Sequence, residues 1–184
     1  MNEKRIEEAI KIILEEIGED PNREGLKGTP KRVVRMYKEI FSGIGVDPAS
    51  VLTAQFEEEH EEMVIVKDIH FYSMCEHHLV PFFGKAHIGY VPNGKIVGLS
   101  KIARLVEVVS RRLQLQERMT TIIADTLYNT LKAKGVIVML EAEHLCMSMR
   151  GIKKPGALTV TLATKGILDE DEKLKRKFFD IVKG

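Results

Sequence analysis

The sequence predicts an α+β fold, in which a helical hairpin precedes an antiparallel sheet with a second helix pair inserted between two strand hairpins. Three observations point there. Apolar residues recur at helical spacing up to about residue 41, the period falls to two from residue 63, and helical spacing returns over 100–133 before two further strand-like runs. Strands grouped as hairpins with helices inserted, rather than alternating one for one, favour an antiparallel sheet over a parallel βαβ arrangement.

Each element follows in chain order. Ile6, Ile10, Ile13, Leu14 and Ile17 lie on one helical stripe, and Gly18 is a stop. After the turn-rich GEDPNREGLKG, Thr29-Pro30 reads as an N-cap followed by proline at the first helical position of a helix reaching Phe41. Strands are expected over 63–72 and 82–91, the second ending at Pro92-Asn93-Gly94. Ser100 reads as the cap of a helix through Ile102, Leu105, Val106 and Val109. Leu113-Gln114-Leu115-Gln116 interrupts it, and a further helix covers 117–133. Gly135 opens a β-like run over 136–149, a last strand fits 158–163, and the tail DEDEKLKRKFFDIVKG reads as a solvated amphipathic helix. The hairpin, residues 1–50, and the sheet-bearing part, 51–184, are expected to form one structural unit.

The 184 residues suit about one domain. Lys and Arg number 28 against 27 Asp and Glu, a net charge of +1, which argues against a nucleic-acid or membrane-surface protein held by bulk charge. The N-terminus lacks the apolar core and cleavage site of a signal peptide, and no apolar run approaches the ~20 residues of a membrane span. A cytoplasmic location is the expectation.

Two cysteines make no disulfide framework, yet three of the six histidines crowd them. Cys75, His77 and His78 stand in CEHH, and His144 and Cys146 in HLC. Cys75 and His78 are close enough for one turn of chain to bring both donors to a single ion. If the strand over 136–149 persists, His144, Cys146, Ser148 and Arg150 share a face that begins apolar at Val136, Val138 and Leu140. Taken singly, a cysteine is usually a small buried hydrophobe and a histidine a hydrogen-bonded side chain. Together, two thiolates and an imidazole suit Zn²⁺, with the fourth position left for water in a catalytic site or filled by His77 or His144 in a closed structural one.

SMCEHH, residues 73–78, resembles the signature of the GTP cyclohydrolase I family. The likeness continues through TPKRV at 29–33, GKAHIGYVP at 84–92, VGLSKIARLVE at 97–107, LQLQER at 113–118 and EHLCMSMRG at 143–151, in the family's order. Ala157 and Ile167-Leu168 depart from frequent family residues, outside the proposed chemistry. The resemblance implies the tunnelling fold, ββααββ, over 51–184. It also implies a homodecamer of two stacked pentamers, with active sites built at subunit contacts.

The reaction implied is the conversion of GTP and water to 7,8-dihydroneopterin triphosphate and formate, the entry to folate, tetrahydropterin or queuosine-type synthesis. By the same resemblance Cys75, His78 and Cys146 hold one zinc ion per subunit, which activates the water that opens the imidazole ring of guanine. His77 supplies a proton to the ring nitrogen, His144 acts as a second acid/base, and Ser100 takes part in the sugar rearrangement. Glu117 recognises guanine, whose N1–H and N2–H adenine cannot reproduce, with Gln116 alongside. Without the family context, residues 116–118 read as a solvated helix face. Lys101, Arg104 and Arg150 match triphosphate-binding positions, and Arg32 matches one reaching in from a neighbouring subunit. Two other readings compete: another enzyme of the same fold, such as a nitrile reductase with a cysteine nucleophile, and a non-catalytic, zinc-stabilised nucleotide-binding oligomer.

Overall fold

The computed structural model describes residues 1–184, which divide into two compact units, Met1–Ser42 and Gly43–Gly184. In the first, α1 (Glu3–Glu16) starts at Asn2, whose side chain accepts from the Arg5 N–H, and packs against α2 (Thr29–Ile40). Lys38 pairs with Glu3 across the hairpin. The cap of α2 is Gly28, so Thr29 and Pro30 are its first helical residues, one position from the expected register.

The second unit runs β1 (Gln55–Glu57), β2 (Val64–Cys75), β3 (Pro81–Val91), β4 (Lys95–Val97), α3 (Leu99–Ser110), β5 (Leu113–Gln114), α4 (Gln116–Leu131), β6 (Gly135–His144), α5 (Leu145–Ser148), β7 (Leu158–Gly166) and α6 (Glu172–Lys183). The main sheet has the order β5-β2-β3-β6-β7. Four strands are antiparallel neighbours, and β5, the expected interruption at 113–116, adds a short parallel rung beside the end of β2. The expected ββααββ order is therefore present. The short β1–β4 pair was not anticipated; three-residue strands carry too little periodicity to read.

Alternation sorts the side chains between two faces. Phe82, Ala86, Ile88 and Tyr90 of β3, with Val136, Val138, Leu140 and Ala142 of β6, pack against α3 and α4. The intervening Val91, Ile137 and Met139 pack against Phe178 of α6. The tail is amphipathic as expected, but its apolar face is docked rather than solvated, with Phe178 fully buried. Gly89 permits that docking, because a Cβ there would stand 2.9 Å from Ile137 Cγ2 and 3.0 Å from the Phe178 ring.

The cap of α3 is Gly98, and Ser100 lies inside the first turn with no capping role, since the helix begins two residues earlier than its polar residue suggested. At the other end of α3, the buried Ser73 hydroxyl donates to the Ser110 carbonyl and pins the helix to β2.

Candidate functional site

Cys75 reaches the α3/α4 face through a parity change in β2. Val64 and Val66 point to that face; Val66 pairs with Ile88, but the next rung is Ile69 with Ala86. One extra residue is accommodated there as a β-bulge, with Asp68 in the left-handed region at φ 60°. After the bulge Ile69, Phe71 and Cys75 take over the core face. His87 and Lys85 hold the bulge: the Asp68 N–H donates to His87 Nδ1 at 3.3 Å, and Lys85 pairs with the Asp68 carboxylate at 2.8 Å.

Beyond Cys75 the chain turns tightly. The Leu79 N–H donates to the Cys75 carbonyl and the Cys75 N–H to the Val80 carbonyl, which folds His78 back until its Nδ1 is 3.9 Å from Cys75 Sγ. Glu76 pairs with Arg118, and Arg118 Nε donates to Gln114 at 3.1 Å, so this loop is tied to the start of α4.

The third donor arrives differently from expectation. The strand expected over 136–149 ends at His144, because the β3 ladder runs out at Phe82, beside Pro81 with no N–H to offer, and β7 begins only opposite Glu143. Residues 145–148 then form a helical turn. His144, Cys146, Ser148 and Arg150 thus do not share a strand face. Ser148 Oγ donates to the His144 carbonyl at 3.0 Å and Arg150 Nη1 to the Cys146 carbonyl at 3.4 Å, both at helical spacing. Arg150 Nη1 also lies 3.3 Å from His78 Nε2.

The result is a cluster in which the ligand atoms of Cys75, His78 and Cys146 all lie within 4.8 Å of one another. Zn–S near 2.3 Å and Zn–N near 2.0 Å at tetrahedral angles require ligand separations of about 3.5–3.8 Å, so small movements close this group on one ion. Both cysteines are free thiols. Burial pushes the Cys146 thiol up, and the adjacent Cys75 pushes it the same way. Two neighbouring thiols against an apolar wall want a cation between them, and the donor set fits a soft-to-borderline dication.

His144 lies beside this cluster and is tightly held. Its ring stacks on Phe82, its partner across the sheet, with centroids 4.6 Å apart and planes within 1°. Its Nε2 is 2.8 Å from Gln116 Oε1. Burial pushes its pKa down, with Glu117 opposing. The solvated reading of 116–118 fails for Gln116, which is 1% exposed and turned inwards, while Glu117 remains open at the surface. His77 is exposed and meets the His78 ring edge-on at 6.1 Å.

Ser100, Lys101 and Arg104 are not gathered to the cluster. They occupy the first turns of α3, at the Tyr90 end of the sheet, where the Tyr90 hydroxyl accepts from the Val97 N–H. His144 pairs with Phe82 at the opposite end, and Cys75 lies just past the Met74–Pro81 rung there, roughly 27 Å along β3. Arg32 lies in the N-terminal unit, exposed on α2. Sequence reasoning missed Phe82, the bulge residues and the Glu76–Arg118 tie, all of which depend on register. Only the parity slip across Val66, Ile69 and Phe71 could have announced the bulge.

The family model for GTP cyclohydrolase I matches residues 6–183. A GTP cyclohydrolase 1 of Geobacillus sp. (strain WCH70) is 57% identical over 100% of this chain and 98% of its own. The GTP cyclohydrolase 1 of Streptococcus mutans serotype c is 58% identical over 98% of this chain and 95% of its own. Among solved structures, the apo archaeosine synthase QueF-Like overlays 56% of this chain and 93% of that one with a TM-score of 0.45 and 14% identity. The family match and the full-length relatives, not that partial likeness, identify the chain.

Proposed function

The chain belongs to the GTP cyclohydrolase I family, and from that membership we propose that it converts GTP and water to 7,8-dihydroneopterin triphosphate and formate, with Cys75, His78 and Cys146 holding one zinc ion. The observation that carries this is the convergence of these three donors within 4.8 Å on a chain of this family. Zinc supplies a Lewis acid and water acidified toward neutral pH. The nitrile-reductase and non-catalytic readings are not favoured by the family match.

The remaining work falls to the chain's own residues. The exposed His77 gives a proton to the guanine imidazole ring, general acid work for which histidine is the side chain most often used. His144 exchanges protons with the opened ribose, and Ser100 assists that rearrangement. Glu117 accepts from N1–H and N2–H of guanine, with Gln116 beside it in the chain. Arg150, Lys101, Arg104 and Arg32 neutralise the triphosphate.

The separation of Ser100, Lys101 and Arg104 from the thiol cluster supports an active site shared between subunits, as in a homodecamer of two pentamers. In such an assembly one copy's α3 start meets another's ligand end. The outer edge of β7 has no strand beside it, and Leu158, Val160 and Leu162 are exposed along it; a neighbouring copy would cover both. No helix is long and apolar enough to cross a membrane, in keeping with a cytoplasmic reading.

GTP turnover with and without a chelator, with formate quantified, tests the proposal. Formate and an oxidisable, fluorescent pterin should form only with metal. Neither appearing with zinc-loaded protein rejects it.

A further inference from the structure

We infer that Gln116 is a positioning residue that fixes the tautomer of His144, with the proton on Nε2 and the lone pair on Nδ1. This rests on the acid/base role proposed above for its place in the reaction, but the proton assignment follows from hydrogen bonding alone.

The amide orientation of Gln116 is determined by its surroundings. The nitrogen lies 3.1 Å from the Leu140 carbonyl and 2.9 Å from the Thr159 carbonyl, and 3.1 Å from Thr161 Oγ1. Backbone carbonyls only accept, so the group facing them must be the NH₂. The group facing His144 is then the amide oxygen, which also only accepts. His144 Nε2, 2.8 Å away, must donate to it. In a neutral imidazole one nitrogen carries the proton, so Nδ1 is left as the base.

The surrounding contacts keep this arrangement in place. Thr120 Oγ1 donates to the Gln116 carbonyl at 2.7 Å and lies 2.6 Å from Thr161 Oγ1, which closes a buried network between α4 and β7. Stacking on Phe82 prevents the ring from turning to exchange its nitrogens. Nδ1 makes no hydrogen bond within the chain and is not sealed from solvent. The Gln116 side chain is thereby spent inside the protein, and any help it gives in guanine binding falls to its backbone.

The test is solid-state nitrogen NMR of the full-length, zinc-loaded protein carrying isotopically labelled histidine. The His144 signals are assigned by their loss in His144→Asn. The expected wild-type spectrum has a protonated Nε2 and an unprotonated Nδ1 for His144 at neutral pH; a protonated Nδ1 overturns the inference whatever any variant does. Gln116→Met keeps the length and removes the acceptor, and its fold is checked by circular dichroism and zinc content. The folded variant should show His144 in mixed tautomers, with kcat lowered about 10²-fold and KM for GTP changed far less. An unchanged tautomer in that variant overturns the lock, and a KM rise with kcat intact makes Gln116 a substrate contact instead. Absence of turnover in the wild type with the expected spectrum removes the proposed function and leaves the tautomer assignment standing.

Discussion

Cys146→Ala separates a metal that serves chemistry from one that serves folding. Of the three donors only Cys75 is buried in the core, at 5% exposed; His78 is open and Cys146 half-buried on α5. The core itself, built from α3, α4 and the sheet, includes Cys75 and has Cys146 packed against its edge, with His78 outside it. Losing one half-buried sulfur should therefore lower stability by about 1 kcal/mol, a fall in thermal midpoint of about 2–4 °C. Metal binding should suffer far more. Structural zinc sites gain about 10–16 kcal/mol from four ligands, so each ligand is worth about 3–4 kcal/mol, and affinity should fall on the order of 10²–10³-fold. Zinc is to be counted after equilibration with a competing chelator, beside circular dichroism and thermal melting. The expected outcome is loss of the metal and of formate production with the helical signal kept. Wild-type resistance to the chelator would refute the assignment of Cys146, and unfolding as the metal leaves would make the site structural.

Two further outcomes are expected. Arg118→Ala frees Glu76 and unties the loop that carries His77 and His78; zinc should pass to a chelator about 10–100-fold faster, and an unchanged rate would mean the loop holds itself. His87 is 3% exposed, accepts from the Asp68 N–H, and faces Glu141, Asp68, Lys85 and Lys67. Burial pushes its pKa below the usual value, with Glu141 and Asp68 opposing. The unfolded chain then binds the extra proton first, so this residue's share of stability is full above about pH 6.5 and is lost as pH falls below it. Thermal midpoints from neutral to mildly acidic pH should decline more steeply in wild type than in His87→Gln, and parallel curves would contradict the burial argument.

Much of this was legible in the sequence because it depends on local period and donor chemistry. The alternation in β3 and β6 and the helical spacing of α3 and α4 fix which faces meet, and two thiols with imidazoles beside them fix the class of ion. The failures share one cause, which is that pairing partners lie far away in the chain. The run from Gly135 reads as a strand to Met149 by composition, yet it stops at His144 because Pro81 ends one neighbour and Leu158 begins the other. The polar string at 116–118 reads as solvated, yet Gln116 finds three acceptors on β6 and β7 that no local window contains.

The bulge in β2 shows how the same logic reaches function. With an unbroken alternation from Val64 and Val66, Cys75 would fall on the α6 face, across the sheet from His144 and Cys146. One inserted residue at Lys67-Asp68 reverses the parity, so the metal centre depends on a local irregularity that is held from the neighbouring strand by His87 and Lys85. A bulge with a left-handed aspartate is strained unless its freed N–H and its carboxylate both find partners, and here each has one. The blocks CEHH and GKAHIGY, on neighbouring strands of one hairpin, are thus parts of one device: the second supplies the imidazole and ammonium that keep the first turned toward its third ligand. The same register argument separates what one chain holds from what it lacks. Parity brings Cys75, His78, His144 and Cys146 to one end of the sheet, while the start of α3, with Ser100 and Lys101, stays at the other. No rearrangement that preserves the β3 ladder can close that distance within a single copy.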